Sequence, residues 1–385
     1  MTKKSLFITV LLAMLALIII TSVGFATETR LLSMGGIPYI RDNSNVFYFP
    51  ATINQYPNQA IAELRLKDGG SDNSIGIHLP VMSESVLGVY LNQPFSVPLD
   101  MVSQITSNIV LKNAIAVIYG KKMSNFDVGL LLTLVSDSWE NSTTKPKIEE
   151  SARVMNIGAG ISSPTYDLGV LLNLPSISRK ADPAEEKYSG LGVDIHGRYF
   201  MKKTETLELI PLARLGFGSA SYADDSGIEG TPKGEVDLSS MNLELGVGMS
   251  YQVNETNLAV LGLELFGMAK NSSEVKDSYK NTTTTRTLPA LYVGVESNLK
   301  PWLIGRLGAS QAYYKTTSKY EPKQGENAES SSNDSSFNLS FGFGIKVAGF
   351  LLDAHFNENL FFDGPNFISG QRNSIANRIS VTYNF

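Results

Sequence analysis

Two residue pairs in this chain have the spacing of acid–base chemistry, Asp194-Ile-His196 and Asp353-Ala-His355. In an extended strand residues i and i+2 share a face. Each pair would therefore set a carboxylate beside an imidazole, the arrangement that orients a general base. The pattern supplies no nucleophile for such a base, because no serine is fixed beside either pair. His78, His196 and His355 are the only histidines, and they lack the spacing of a metal centre. Cysteine is absent, which removes thiolate ligands, thiol nucleophiles and disulfides. Gly158-Ala-Gly160 and Gly342-Phe-Gly344 fall inside alternating segments, so neither is a phosphate cradle. The residues point away from an enzyme, and no cofactor or metal is expected.

Composition by itself misleads. The 385 residues are 43% hydrophobic and 18% charged, with net charge −5 and mean hydropathy −0.02, averages typical of a soluble protein. Mild acidity without basic blocks argues against nucleic acid as a partner. Order tells another story. Lys3 and Lys4 precede an apolar run from Leu6 to Ile20, and small residues lead to Ala26. Residues 1–26 are predicted to be a signal peptide for export, with an uncleaved anchor as the alternative.

Beyond residue 60 the apolar signal alternates with period two. In Met241–Val253 the odd positions are Met, Leu, Leu, Val, Met, Tyr and Val, and the even ones are Asn, Glu, Gly, Gly, Ser and Gln. Phe337–Val347 repeats this, with glycine again on the polar face. Sixteen such segments are predicted as strands, from Ile61–Leu66 to Ile375–Phe385. Short turns such as Ser163–Thr165 and Ala348-Gly349 alternate with long polar connections: Asn141–Ser151, Ser176–Ser189, Asp224–Ser239, Lys270–Arg286, Thr316–Ser336 and Asn357–Asn373. Tyr119, Phe126, Tyr166, Tyr199, Tyr251, Tyr383 and Phe385 lie on the apolar register beside the short turns or the carboxyl end, as an interfacial girdle would. An open sheet with an apolar face would leave unsatisfied edges in lipid, so the strands must close. The expected fold is all-β: a transmembrane antiparallel β-barrel of about 14–16 strands over residues 60–385, in the outer membrane and in contact with its lipid.

The other register faces the lumen. It carries Asp127, Asp167, Asp194, His196, Arg198, Glu208, Arg214, Glu244, Glu264, Glu296, Arg306, Lys346, Asp353, His355 and Arg378. Both signs are present, which predicts interstrand ion pairs in a hydrated interior, or a selective path built from the same groups.

Residues 27–59 do not alternate. Arg30, then Met34-Gly35-Gly36, Asp42 and Pro50-Ala51 before the first strand resemble the outer-membrane fatty-acid-transporter (FadL-like) superfamily, which includes PorV-type barrels. Phe49 stands where that pattern has Asn, and the superfamily typically has fourteen strands. The resemblance implies that residues 27–59 fold into the lumen as a hatch. It also implies passive passage of small or hydrophobic solutes, in a Gram-negative-type bacterium. The end on Tyr383-Asn-Phe385 resembles the signal read by the barrel assembly machinery. The alternative is a non-conducting barrel serving as a secretion or assembly partner, binding protein through its long extracellular loops.

Overall fold

A computed structural model of the chain describes residues 27–66, 73–95, 108–109, 111–143, 147–225, 234–356 and 375–385. The export signal expected at 1–26 and most of the connection expected at 357–373 lie outside them. The first strands are β1 (Gln59–Arg65), β2 (Ser74–Met82), β3 (Ser85–Leu91), β4 (Ile115–Lys122), β5 (Asp127–Asn141), β6 (Ile148–Ser162), β7 (Tyr166–Ala181) and β8 (Ala184–Tyr199). Met201–Lys202 prolongs β8 past a break at Phe200. There follow β9 (Leu207–Asp225), β10 (Gly234–Asn254), β11 (Asn257–Val275), β12 (Tyr279–Lys300), β13 (Leu303–Pro322), β14 (Ala328–Val347), β15 (Phe350–Phe356) and β16 (Ala376–Asn384).

Each strand pairs antiparallel with the next, and β16 returns to β1 along Gln59↔Asn384 to Arg65↔Arg378. The chain is a closed β-barrel of sixteen strands. Closure pairs the first strand with the last and leaves no free edge, which is what an apolar outer face requires.

Each of the sixteen predicted segments contains a strand, but the connections differ from expectation. Most of Ser176–Ser189, Lys270–Arg286 and Thr316–Ser336 is ladder rather than loop, and within Asn141–Ser151 the ladder already includes Asn141 and residues 148–151. The strands β9 to β14 each run 19–22 residues. Only about 9–11 tilted residues cross a bilayer, so these six form a wall that rises well past the apolar belt. Hydropathy does not register the extension because both of its faces are polar. Cross-strand hydroxyls sustain it: Thr285 and Thr316 oxygens lie 3.2 Å apart, Thr317 and Ser331 3.1 Å, Ser272 and Thr282 3.2 Å.

The outward register below the wall is apolar and exposed, with Leu130, Leu261, Leu291 and Leu307 among its members. At the short-turn end Tyr199, Tyr251 and Phe385 are exposed, and Phe350 stacks on Tyr383 at 4.4 Å. The girdle positions read from the sequence thus ring one end of the belt.

Candidate functional site

Residues 27–56 lie against the inner wall near the short-turn end. They form a helix α1 (Glu28–Ser33) and two 3-10 turns, Asn43–Phe47 and Pro50–Gln55. Local chemistry sets each piece. Gly35 and Gly36 take φ of +86° and +73°, which lets the chain reverse after α1 at no Cβ cost. Asp42 caps the first 3-10 turn by accepting from Ser44 N at 3.0 Å. Pro50 opens the second, where its missing N–H is not needed. Apolar side chains then anchor the segment at two places. Met34, Ile37, Tyr39 and Ile40 pack on Phe200, Ile210, Leu212 and Val260. Val46, Ile53 and Tyr56 pack on Val86, Tyr90, Ala116, Ile118 and Leu131. His78, fully buried, ties the second patch: its Nδ1 lies 2.7 Å from the Tyr56 carbonyl and its Nε2 2.7 Å from the Tyr90 hydroxyl.

The glycines of the inner register now have a reason. A Cβ on Gly308 would land on the backbone of Met34 and Gly35, one on Gly169 on the Tyr48 carbonyl, and one on Gly129 on Pro50 and Ala51. Gly246, Gly248 and Gly262 make a flat seat for the Tyr39 ring. The wall is stripped of side chains where the segment touches it, so backbone meets backbone.

Charge completes the docking. Arg30 donates Nε and Nη2 to Glu296 at 2.7 and 3.0 Å, a bidentate pair, and lies 3.7 Å from Asp42. Arg306, with no exposed side-chain surface, donates to Glu296 at 2.6 Å and to Asp353 at 2.5 Å. Arg198 binds Asp167 at 2.8 Å and the Ile40 carbonyl at 2.9 Å, and its guanidinium stacks over Phe49 at 4.7 Å. Glu28 accepts from Arg65 of β1 at 2.8 Å and from Arg378 of β16 at 2.5 Å. Burial pushes the Asp42 carboxyl up in spite of Arg30 and Ser44 beside it. For Glu28 burial also works upward, but Arg378 and Arg65 outweigh it and hold the carboxyl below its ordinary 4.5.

The sign of the Glu28 shift gives a testable consequence. A depressed carboxylate stabilises docking fully above pH 4.5 and loses that contribution as pH falls through its lowered value. Asp42 acts in the opposite sense. Protease protection of residues 27–56 in the reconstituted barrel should therefore weaken below pH 4.5. In E28Q it should be weaker already at neutral pH and respond less to acid; identical curves for both proteins would contradict the assignment.

Above the segment lies a cavity of about 310 Å³ lined by Asp194, His196, Arg214, Glu244, Glu264 and Thr287. Tyr48 touches two of its lining residues, with its ring 5.1 Å from His196 and 5.7 Å from the Arg214 guanidinium. Arg214 pairs across the ladder with Glu244 at 3.0 Å. Each acid of the two Asp-x-His pairs is taken by a neighbour other than its histidine. Asp194 accepts from Asn173 at 2.9 Å, and Asp353 is bound by Arg306. Among the described residues no group of three or more His, Asp and Glu gathers as a metal set.

Beyond the cavity the inner wall changes character. Ile177, Tyr188, Ala152 and Ala220 form a buried patch with Tyr222 and Leu238, covered by Ile109 and Leu111 from the connection between β3 and β4. Val135 and Val154 continue it, with Phe95 against them. Asn108 fixes this cover by donating its backbone and side-chain nitrogens to Glu150 at 3.0 and 3.2 Å.

The lumen-facing residues read from the sequence share the inner register but not one site. Asp167, Arg198, Glu296, Arg306, Asp353 and Arg378 gather around residues 27–56, whereas Asp194, His196, Arg214, Glu244 and Glu264 line the cavity. Glu208, opposite Lys202, and Lys346 join neither group, and His355 lies buried opposite Arg378 and Gly342. Sequence reasoning missed Glu28 on α1, missed Glu63 and Arg65, whose inward faces follow from the parity of β1, and missed Tyr39 and Tyr48. It also missed the apolar patch, although the run Leu130–Val135, apolar except at Thr133, signals a strand with two largely apolar faces.

No protein-family model and no curated protein matches the chain. Solved structures with a similar outline include the toluene transporter TodX of Pseudomonas putida, at 12% identity and TM-score 0.36 over 94% of this chain and 98% of that one. The monoaromatic hydrocarbon channel CymD follows, at 11% identity and TM-score 0.37 over 92% and 96%. The alcaligin receptor FauA of Bordetella pertussis covers 77% of this chain and 67% of its own, at 6% identity and TM-score 0.40. Likenesses this distant leave the fold where the strand ladders put it.

Proposed function

We propose that the chain is an outer-membrane channel of a Gram-negative-type bacterium that lets small hydrophobic molecules cross passively, with residues 27–59 as its hatch. The observation that carries this reading is the apolar inner-wall patch around Ile177 and Tyr188. A water-filled porin keeps its lumen polar, and a barrel whose lumen is only structural has no use for an apolar lining beyond its plug. An apolar solute would leave water by displacing Ile109 and Leu111 from this patch, pass the small polar cavity, and be held up at the hatch until residues 27–59 shift. The short-turn end would face the periplasm and the long wall the exterior. Burial of Arg30, Met34, Asp42, Pro50 and Ala51 supports the hatch, as does the glycine track beneath it.

The test is solute flux into vesicles holding the full chain. Toluene should enter faster than through protein-free bilayers, and glucose should not. Substituting Ile177 and Leu238 by Asn should slow toluene entry by about tenfold, as two buried apolar contacts exchanged for polar ones imply. Removal of residues 27–56 should admit glucose. If toluene enters no faster than through empty vesicles, with or without residues 27–56, the channel reading is wrong.

A further inference from the structure

Outward-facing cations on the wall fall into two sets. Near its tip Lys319 pairs with Glu329 at 3.0 Å, Lys280 with Glu274 at 3.3 Å and Lys276 with Glu235 at 2.8 Å. Lower down, Lys270, Arg286 and Lys315 are exposed and have no acidic partner among the described residues. Arg286 and Lys315 stand directly opposite one another on β12 and β13. Lys270, which pairs with Thr284, is diagonal to Arg286 on β11. Like charges directly opposite in a sheet repel, and here no anion of the chain relieves them.

Their height on the barrel identifies what does. Just below, on the same outer face, Leu265, Leu288, Tyr313 and Phe337 are all more than half exposed and mark the upper margin of the apolar belt. A groove of about 850 Å³ runs from Met241 and Met268 at its apolar end past Lys270, Thr284 and Arg286, beside Lys315, to a tip where lysines and the acids Glu274 and Glu321 are mixed. An amphiphile with its tail at the two methionines and an anionic head at Lys270 and Arg286 fits the lower part of that groove. We infer that Lys270, Arg286 and Lys315 form a docking surface for the phosphate headgroup of an anionic lipid in the leaflet on the long-wall side. This rests on the membrane reading of the barrel but not on transport: a barrel that conducts nothing would still carry the surface.

The test uses the full chain in neutral detergent, with folding checked by heat-modifiable migration on gels. Native mass spectrometry is used to follow binding of dimyristoylphosphatidylglycerol, with dimyristoylphosphatidylcholine for comparison and inorganic phosphate as competitor. Wild type should bind the glycerol lipid and not the choline lipid, and phosphate should not displace it. The variant K270Q/R286Q/K315Q should bind at least about tenfold more weakly, from loss of three interfacial cations. The variant K147Q/K187Q/K276Q, which removes three paired cations outside the groove, should match wild type. R286Q alone is read in the same way if the triple variant does not migrate as a folded barrel. Equal binding of both lipids, displacement by phosphate, or unchanged affinity in the folded triple variant or in R286Q would each overturn the proposal. Failure of the chain to insert into vesicles would instead count against the membrane reading itself.

Discussion

Replacing Arg306 by methionine is expected to destabilise the barrel by about 3–5 kcal/mol, the range for breaking a buried pair by removing one partner. Arg306 has no exposed side-chain surface and serves Glu296 and Asp353 together. The two acids are left in different positions by its loss. Glu296 keeps the bidentate pair with Arg30, but Asp353, itself fully buried, loses its 2.5 Å donor. The cost should therefore fall mainly on Asp353. The double variant R306M/D353L, which replaces the pair by apolar groups, should recover most of the loss. Urea unfolding of the full chain in vesicles measures both. A single variant within about 1 kcal/mol of wild type would mean that water reaches Asp353 and solvates it, as for an exposed pair.

The second large effect comes from adding rather than removing atoms. Gly308→Val would drive a side chain into the backbone of Met34 and Gly35, where no flexible side chain can move aside. Overpacking of this kind typically costs about 1–3 kcal/mol, and more where backbone must shift. The strain falls on the weaker partner, a helix of six residues rather than a sixteen-strand ring. The expected result is release of α1 with the barrel intact. Residues 27–56 become cleavable by added protease, glucose enters vesicles, and heat-modifiable migration stays unchanged. Gly305→Ala serves as the control, since its Cβ meets only the Leu299 side chain. If G308V stays protected and impermeable to glucose, residues 27–56 do not depend on that seat.

The strands were legible in the sequence because lipid and lumen impose opposite chemistry on alternate residues. Met241–Val253 and Phe337–Val347 show it almost without exception, and β10 and β14 contain them. Where both faces meet water the contrast vanishes, so Thr282–Thr287 and Ser330–Ser336 read as loop although they are ladder. The inward charges were legible by the same parity, but their grouping was not. Which of them meet residues 27–56 and which line the cavity depends on height along tilted strands, and parity carries no height. The glycines were the most informative residues and the least readable. Their place on the polar face was plain; that they clear space for a second backbone requires the partner to be in view. The apolar patch was obscured for a related reason: Leu130–Val135 offers only Thr133 by which to tell inside from outside.

The bridge made by Glu28 has a consequence for how the ring is completed. β1 and β16 meet at the seam where the two ends of the chain come together, and Arg65 and Arg378 stand opposite one another there. Two facing guanidinium groups would push the seam apart. The carboxylate between them comes from neither strand but from α1, thirty-seven residues before Arg65 and three hundred and fifty before Arg378. Thr27 reaches Ser380 and Thr29 reaches Glu63 across the same line. Docking of α1 at this line thus depends on the arrival of β16. α1 therefore waits for β16, and a ring not yet closed offers Glu28 only one of its two arginines.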